Sequence, residues 1–360
     1  MKFNDNNISI FNGKKLNIEI FGASHAPEIG VKIDGLNGKK ISFECVKNLL
    51  DRRRAKKQVF STKRLEADEF IVTDGYSDGE IKNGFRAVIK NQAQRSADYE
   101  KTVKIPRPSH ADFVAWEKYG DGYDYRGGGK FSGRMTAPMC IAGGICKELL
   151  KEKGINVYAF ISQIGTIKGK TYQDIDQRNF EYEKIDKEFP LLDDSCKEDM
   201  LKCIEDASRD LDSVGGIIDC VITGVPVGVG EYMFDSVEGE ISKLAFAVPA
   251  VKGIEFGSGF ALSNMRGSLA NDAFYYNGDK VKTKTNNNGG INGGLTNGMP
   301  ITFRVVIKPT PSIAKEQDSV NLESKQNVKL KIEGRHDACI VPRAVPVIEA
   351  IASIAIYDLI

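Results

Sequence analysis

The chain has 360 residues, and its 50 lysines and arginines nearly cancel 49 aspartates and glutamates, leaving a formal net charge of +1. So even a balance gives no basis for a nucleic-acid partner or for attachment to an acidic membrane surface. With 41% hydrophobic and 28% charged residues it has the composition of a globular protein with a sizeable core, and its seven cysteines, an odd number without CxxC spacing, read as free thiols of a reducing, cytoplasmic compartment.

In chain order, "KLNIEIF" and "GVKIDG" read as two strands on either side of His25. The opening residues lack an apolar core of signal-peptide length, and no apolar run anywhere is long enough to span a bilayer. "SFECVKNLLDRRRAKK" reads as a helix, with Ser42 as N-cap and Phe43, Val46, Leu49 and Leu50 on one face. "EFIVTDG" and "FRAVIKN" are strand-like. Ser109 with Asp112 three residues later resembles a capping box, which predicts a short helix through "HADFVAWEKYG" with His110 in its first turn. A longer helix is expected from Thr136 to Lys153, and the small residues of "CIAGGICKELL" favour close packing on one face. "INVYAFISQIG" reads as a buried strand, and residues 168–200 as a polar, irregular excursion. "KEDMLKCIEDASRDLDS" is helical in pattern, "GGIIDCVITGVP" a strand and 233–248 another helix. Gly and Asn in 283–300 exclude regular structure there, "ITFRVVIKP" is a strand, and the apolar tail is expected to be helical after Pro346. Strands and helices alternate irregularly, which points to an α+β fold.

Three features carry chemistry. "DYRGGGKFSGR" (124–134) has three consecutive glycines, which leave backbone N–H groups open to an anion or a planar ring, with Arg126, Lys130 and Arg134 around them. It runs straight into a helix, the arrangement that favours anions at an N-terminus, but it matches neither GxxxxGK[ST] nor GxGxxG. "DRRRAKK" (51–57) is a basic cluster at a helix end, which a solvated face would explain equally well. "KPTPSI" follows a strand, and its prolines make an extended turn suited to the wall of a flat ligand site or to a plain corner. The chain holds only three histidines, and each lies in a loop beside a group suited to proton transfer: Ser24 next to His25, Asp112 near His110, Arg335 and Asp337 around His336. Free imidazole titrates near pH 6.5, which suits such a role, and we expect all three to serve one site. No spacing points to a metal.

Taken together, "GASHAPEIGVKIDG", "DRRR", "NQAQRSADY", "RPSHADF", "KYGDGYDYRGGGKFSGR", "AVKGIEFGSGF", "NNGGINGGLTNGMPITFRVVIKPTPSI" and "GRHDACIVPRAVPVIEA" resemble chorismate synthase in the family's order over nearly the whole chain. The resemblance implies one domain over 1–360 with the family's β-α-β sandwich, assembled as a homotetramer. It implies a lyase of aromatic amino acid biosynthesis that converts 5-enolpyruvylshikimate-3-phosphate to chorismate with reduced FMN and no net redox change. Arg53, Arg107, Arg134 and Arg335 match the family's anion-binding positions. His110 matches the acid that protonates the leaving phosphate, His25 a proton donor to the flavin, Asp337 a residue assisting proton removal, and Ser24 and Ser132 supporting serines. FMN contacts carry over to Lys130, Phe131 and Ser132, to Pro249 and Ala250, to Gly293, to Lys308, Pro309, Thr310, Pro311 and Ser312, and to Arg335. The chain departs from the family's pattern at Ala23, Ala26, Val59 and Phe131. An alternative is a flavin- or anion-binding relative without turnover; an NAD- or NADP-dependent flavin oxidoreductase would rest on the glycine loops alone. No reductase-like domain is seen, so reduced flavin is expected from an external source.

Overall fold

A computed structural model describes residues 7–55, 67–91, 104–175, 181–182, 185, 188–332 and 337–360. The first sheet joins β1 (Ile8–Asn12), β2 (Asn17–Gly22), β3 (Glu28–Asp34), β4 (Phe70–Ser77) and β5 (Glu80–Lys90) in the antiparallel order β1-β2-β3-β5-β4. Alternate residues Ile29, Val31 and Ile33 of β3 turn to the core, the period that marks a sheet face. The second sheet joins β6 (Asn156–Ile164), β7 (Ile167–Lys168), β8 (Gly216–Thr223), β9 (Val251–Phe256) and β14 (Ile301–Ile307) in the order β7-β6-β8-β14-β9.

Helices fill the space between. α1 (Glu44–Arg53) and α3 (Thr136–Glu152) pack together, α3 rests on β3 of the first sheet, and α7 (Val341–Leu359) lies between α3 and strands β6 and β8 of the second. This is an α+β, β-α-β sandwich, and one apolar cluster from Leu16 to Tyr357 runs through all its layers. The small face of α3 explains how the helices come so close. A Cβ on Gly143 would sit 2.4 Å from Ala350 Cα of α7, and one on Gly144 2.6 Å from Val46 Cα of α1. No described helix is long and apolar enough to cross a membrane. All seven cysteines are free.

The elements differ from expectation at several edges. α1 starts at Glu44, after Phe43 in a left-handed conformation (φ 64°); the Ser42 hydroxyl still accepts from the Glu44 N–H at 3.3 Å. The tail helix begins at Val341, ahead of Pro346, because Pro342 sits in its first turn, where no N–H partner is lost. Within 283–300 the turns hold one minimal hairpin, β12 (Ile291–Asn292) with β13 (Leu295–Thr296). Where described, the 168–200 stretch holds the end of β7, two short 3₁₀ turns and the start of a helix at Lys197, and Tyr172 and Leu192 are buried against Phe160 and Val221 of the second sheet. Hairpins β10 (Phe274–Asn277) with β11 (Lys280–Thr283) and β15 (Gln317–Asn321) with β16 (Gln326–Leu330) gave no sequence signal that we read. Their faces are largely exposed, so no apolar alternation marks them.

Across the second sheet one row runs Phe160, Asp219, Arg304, Glu255. Burial pushes the Asp219 carboxyl up to about 6, against the opposing pull of Arg304 and of the Ser162 hydroxyl that donates to it at 2.5 Å. The folded state therefore holds this proton more tightly than the unfolded chain, and the stability tied to it, present below about pH 4, is lost as pH rises through 6. Asp219→Asn is expected to stabilise the protein by on the order of 2 kcal/mol at pH 7 and by little at pH 4. Urea midpoints at the two pH values check this; a variant less stable than the parent at pH 7 contradicts it.

Candidate active site

The local structure around "RGGGK" follows from its three glycines. Gly127, Gly128 and Gly129 have φ of 59°, 83° and 54°, a run of left-handed residues that side chains would not tolerate. A Cβ at Gly127 would lie 2.7 Å from His25 Cδ2 and 2.8 Å from Ser24 Oγ, and one at Gly128 3.4 Å from His110 Nε2. Two of the three histidines thus pack against adjacent residues of one bare loop. The third, His336, lies outside the described residues, as do Arg335 and Val59.

The loop forms one wall of a cavity of about 660 Å³, a size suited to small-molecule ligands. Ser24 reaches it from the β2–β3 loop, Arg53 from the end of α1, and Arg107 and His110 from the segment before α2 (Asp112–Tyr119). Lys130, Phe131, Ser132 and Arg134 come from the glycine loop, and Pro249 and Ala250 from the turn between α5 (Val237–Ala247) and β9. Lys308, Thr310, Pro311 and Ser312 follow β14, and Asp337 precedes α7. His25 lies behind Gly127, 4% exposed. Pro309 and Gly293 do not line the cavity; Gly293 is in the turn of the β12–β13 hairpin.

Charge dominates the wall. Among the described residues, seven basic side chains line it against two carboxylates, Asp68 and Asp337. Sequence reasoning missed three of these groups: Asp68, which sits between two guanidiniums, Lys252 and Arg343. Arg53 Nη2 donates to Asp68 Oδ2 at 2.9 Å, and Arg134 Nη1 pairs with Asp68 Oδ1. Arg53, 3% exposed, is therefore no part of a solvated face, whereas its neighbour Arg54 pairs with Asp51 nearer the surface. Burial pulls the Arg53 guanidinium below its usual value, Asp68 opposes that, and nearby Arg343 and Arg134 add to it. Lys308 is also lowered, by burial and by Lys252. Such crowding of like charge is relieved by an anion. Arg343 bridges the layers, donating to Asp337 Oδ2 at 2.8 Å and to the Arg53 carbonyl at 3.0 Å.

The backbone is strained at this site. Asp68, Ser109 and Ala250, all on the cavity wall, have φ of 54°, 58° and 74°. α2 begins two residues after His110, because the Asp112 carboxylate turns back to accept from the Arg107 N–H at 3.1 Å instead of capping from Ser109. The loop at 23–26 is fastened by the Asn91 side chain, whose Nδ2 donates to the Ala23 and Ala26 carbonyls at 3.2 and 2.7 Å. Phe131 is 37% exposed and packs edge-on to Tyr123, so an apolar ring stands where the family's pattern has a serine.

The sequence model of one family, described as chorismate synthase, matches residues 16–360. The chain belongs to the chorismate synthase family. A chorismate synthase of Dehalococcoides mccartyi is 42% identical over 356 residues, covering 96% of this chain and 95% of its own. Those of Korarchaeum cryptofilum and Thermococcus kodakarensis are 41% and 42% identical, each with 96% of both chains covered. A solved structure, "Crystal Structure of Chorismate Synthase", superposes with a TM-score of 0.71 at 23% identity, over 97% of this chain and 92% of that one. The sandwich is thus the fold of the chorismate synthase family.

Proposed function

We propose that this family member is a carbon–oxygen lyase that eliminates phosphate from 5-enolpyruvylshikimate-3-phosphate to give chorismate. The supporting observation is the convergence of His110, Ser24 and the guanidiniums of Arg53, Arg107 and Arg134 on one cationic cavity. A substrate with one phosphate and two carboxylates requires several cations, preferably planar forks. The overall change is an elimination: the C–O bond breaks with its electron pair on phosphate oxygen, a ring C–H gives up its proton, and nothing is oxidised.

Each residue has a task in that change. Arg53 and Arg134, braced by Asp68, and Arg107 hold the anionic groups. His110, on the cavity side of the glycine loop, donates the proton that the departing phosphate needs. To Asp337, which pairs with Arg343, and to Ser24 with His25 we assign the remaining proton transfers.

The residues present also fit reduced FMN. Ser24 Oγ and Thr310 Oγ1 are buried without a hydrogen-bond partner among the described residues, Lys308 suits an anionic ring edge or phosphate, and the glycines keep the wall bare. Lys130, Phe131, Ser132, Pro249, Ala250 and Lys308 to Ser312 would hold it, with Gly293 and Arg335 assigned by resemblance. When bound, the reduced flavin supplies an electron that weakens the C–O bond and is afterwards recovered. We assign the protein further to the cytoplasm, as one domain in a homotetramer that draws reduced flavin from an external source.

The test is an anaerobic assay with the phosphorylated substrate and chemically reduced FMN. Chorismate and phosphate are expected in equal amounts. Folded protein that binds flavin but forms no product would favour the non-catalytic relative instead. Oxidation of NADPH by protein and FMN alone would contradict the external source.

A further inference from the structure

One carboxylate near the cavity has no part in the assignments above, and its contacts are those of a residue that acts through another. Asp112 Oδ1 lies 2.7 Å from His110 Nδ1 and accepts from Arg107 Nη2 at 2.8 Å; Oδ2 accepts from Arg107 Nε at 2.7 Å. Arg107 Nη1 donates onward to Ser312 Oγ at 3.0 Å. The three side chains are 15–17% exposed, so the network is largely shielded from water.

We propose that Asp112 is the positioning residue of this site, a single carboxylate that locks the Arg107 clamp and fixes the His110 ring with Nδ1–H toward itself and Nε2 toward the cavity. The geometry decides the tautomer. An N···O separation of 2.7 Å to a carboxylate requires a proton between the atoms, and the Asp112 side does not carry it. Burial would push that carboxyl up, but hydrogen bonds from Arg107 and His110 hold it well below the carboxylate range. Nδ1 is therefore the donor. Its 3.2 Å approach to Arg107 Nη2 follows from both groups donating to the same Oδ1. With Nδ1 so engaged, the other ring nitrogen is the one available for chemistry. Gly128 keeps that edge open, since a Cβ there would stand 3.4 Å from Nε2.

The consequence is specific to the carboxylate. An asparagine at 112 keeps the shape, but two Arg107 donors, the backbone N–H and Nε–H, claim its amide oxygen at the Oδ2 position. Its NH2 then faces Nδ1, and the ring must take the Nε2–H tautomer. Wild-type Nε2 donates after the ring has taken up a proton and become imidazolium, its charge balanced by Asp112; opposite an NH2 that form loses its acceptor, and the neutral Nε2–H ring can release a proton only by becoming imidazolate, a far poorer acid. The analogous exchange behind the imidazole of a serine protease lowers kcat about 10⁴-fold with geometry intact.

The proposal rests on His110 as the acid of the reaction above, so the experiment has two arms. In the first, the ligand-free protein is labelled with 15N-histidine and its spectrum recorded at about pH 9, above the range where free imidazole titrates. With three histidines, His110→Ala identifies the His110 signals. Wild type is expected to show a protonated Nδ1 and a bare Nε2, Asp112→Asn the reverse, and Asp112→Glu the wild-type pattern. In the second, kcat and KM are measured with reduced FMN. Asp112→Asn is expected to lower kcat about 10²–10⁴-fold with a smaller change in KM, and Asp112→Glu to recover part of it. A bare Nδ1 in wild type overturns the proposal without any variant having to fold. So does Asp112→Asn with kcat within about threefold of wild type while His110→Ala is inactive. If His110→Ala is itself active, the acid assignment fails instead, whatever the spectrum shows.

Discussion

Replacing His110 by alanine is expected to lower kcat by about 10²–10⁴, with a much smaller change in KM. The split follows from the layout of the cavity. The anionic groups of the substrate are held by Arg53, Arg107 and Arg134, whose supports are Asp68, Asp112 and Ser312; Asp112 also meets the imidazole, but its bonds to Arg107 remain when the ring is removed. Removing the ring leaves the binding charges in place but takes away the donor that faces Gly128. Phosphate leaving from an alkyl carbon without a proton carries its full charge into a site that is only partly neutralised. The loss therefore falls on the chemical step. Steady-state kinetics with saturating reduced FMN give both constants, and substrate affinity can be checked separately by titration in oxidised FMN. A variant with unchanged kcat removes His110 from the mechanism; one with unchanged kcat and raised KM reassigns it to binding.

Much of this site was legible before any coordinates, and what was not has a physical pattern. Positions defined by local backbone chemistry read well. Three consecutive glycines announce left-handed backbone, and two of the histidines prove to lie against them. The small face of α3 likewise announced contact, and Gly143 and Gly144 admit Ala350 and Val46. Partners made by tertiary contact did not read. Asp68 is an ordinary acidic residue before a strand, and only the fold sets it between Arg53 and Arg134. Arg343 sits in an apolar helix start, where its sole hint was a charge among "VPRAVP". Asp112 was read both as a partner of His110, which it meets at 2.7 Å, and as a helix cap, where the arginine five residues earlier competes for the same oxygens and wins. A guanidinium offers several charge-assisted bonds where a single hydroxyl offers one.

The second large effect is expected at Glu349, far from the reacting groups. This residue is 3% exposed in α7, yet it binds Arg52 of α1 through two bonds of 2.9 and 2.8 Å and also pairs with Lys147 of α3. It thereby ties together the three helices that the sandwich encloses. Burial alone would raise its carboxyl, but Arg52 and Lys147 outweigh it and bring the group down to about 2 from an ordinary 4.5. Arg52 is raised in turn, the reciprocal sign of one interaction. Because the folded state binds this proton less tightly than the unfolded chain, the stabilisation is fully present above about pH 4.5 and is lost as pH falls toward 2. Glu349→Gln is expected to cost about 3 kcal/mol at pH 7, since it leaves two cations in the helix layer with a neutral partner. The difference between parent and variant should shrink through that acid window, which urea unfolding at pH 7, 4 and 3 measures directly; parallel profiles would reject the pairing as a source of stability. The same clasp reaches the cavity, because Arg52 and Arg53 are neighbours on α1 and Arg343 of α7 holds the Arg53 carbonyl. If α1 shifts when Glu349 is neutralised, the Arg53–Asp68–Arg134 clamp loosens, and KM should rise in a variant whose proton-transfer groups are all intact.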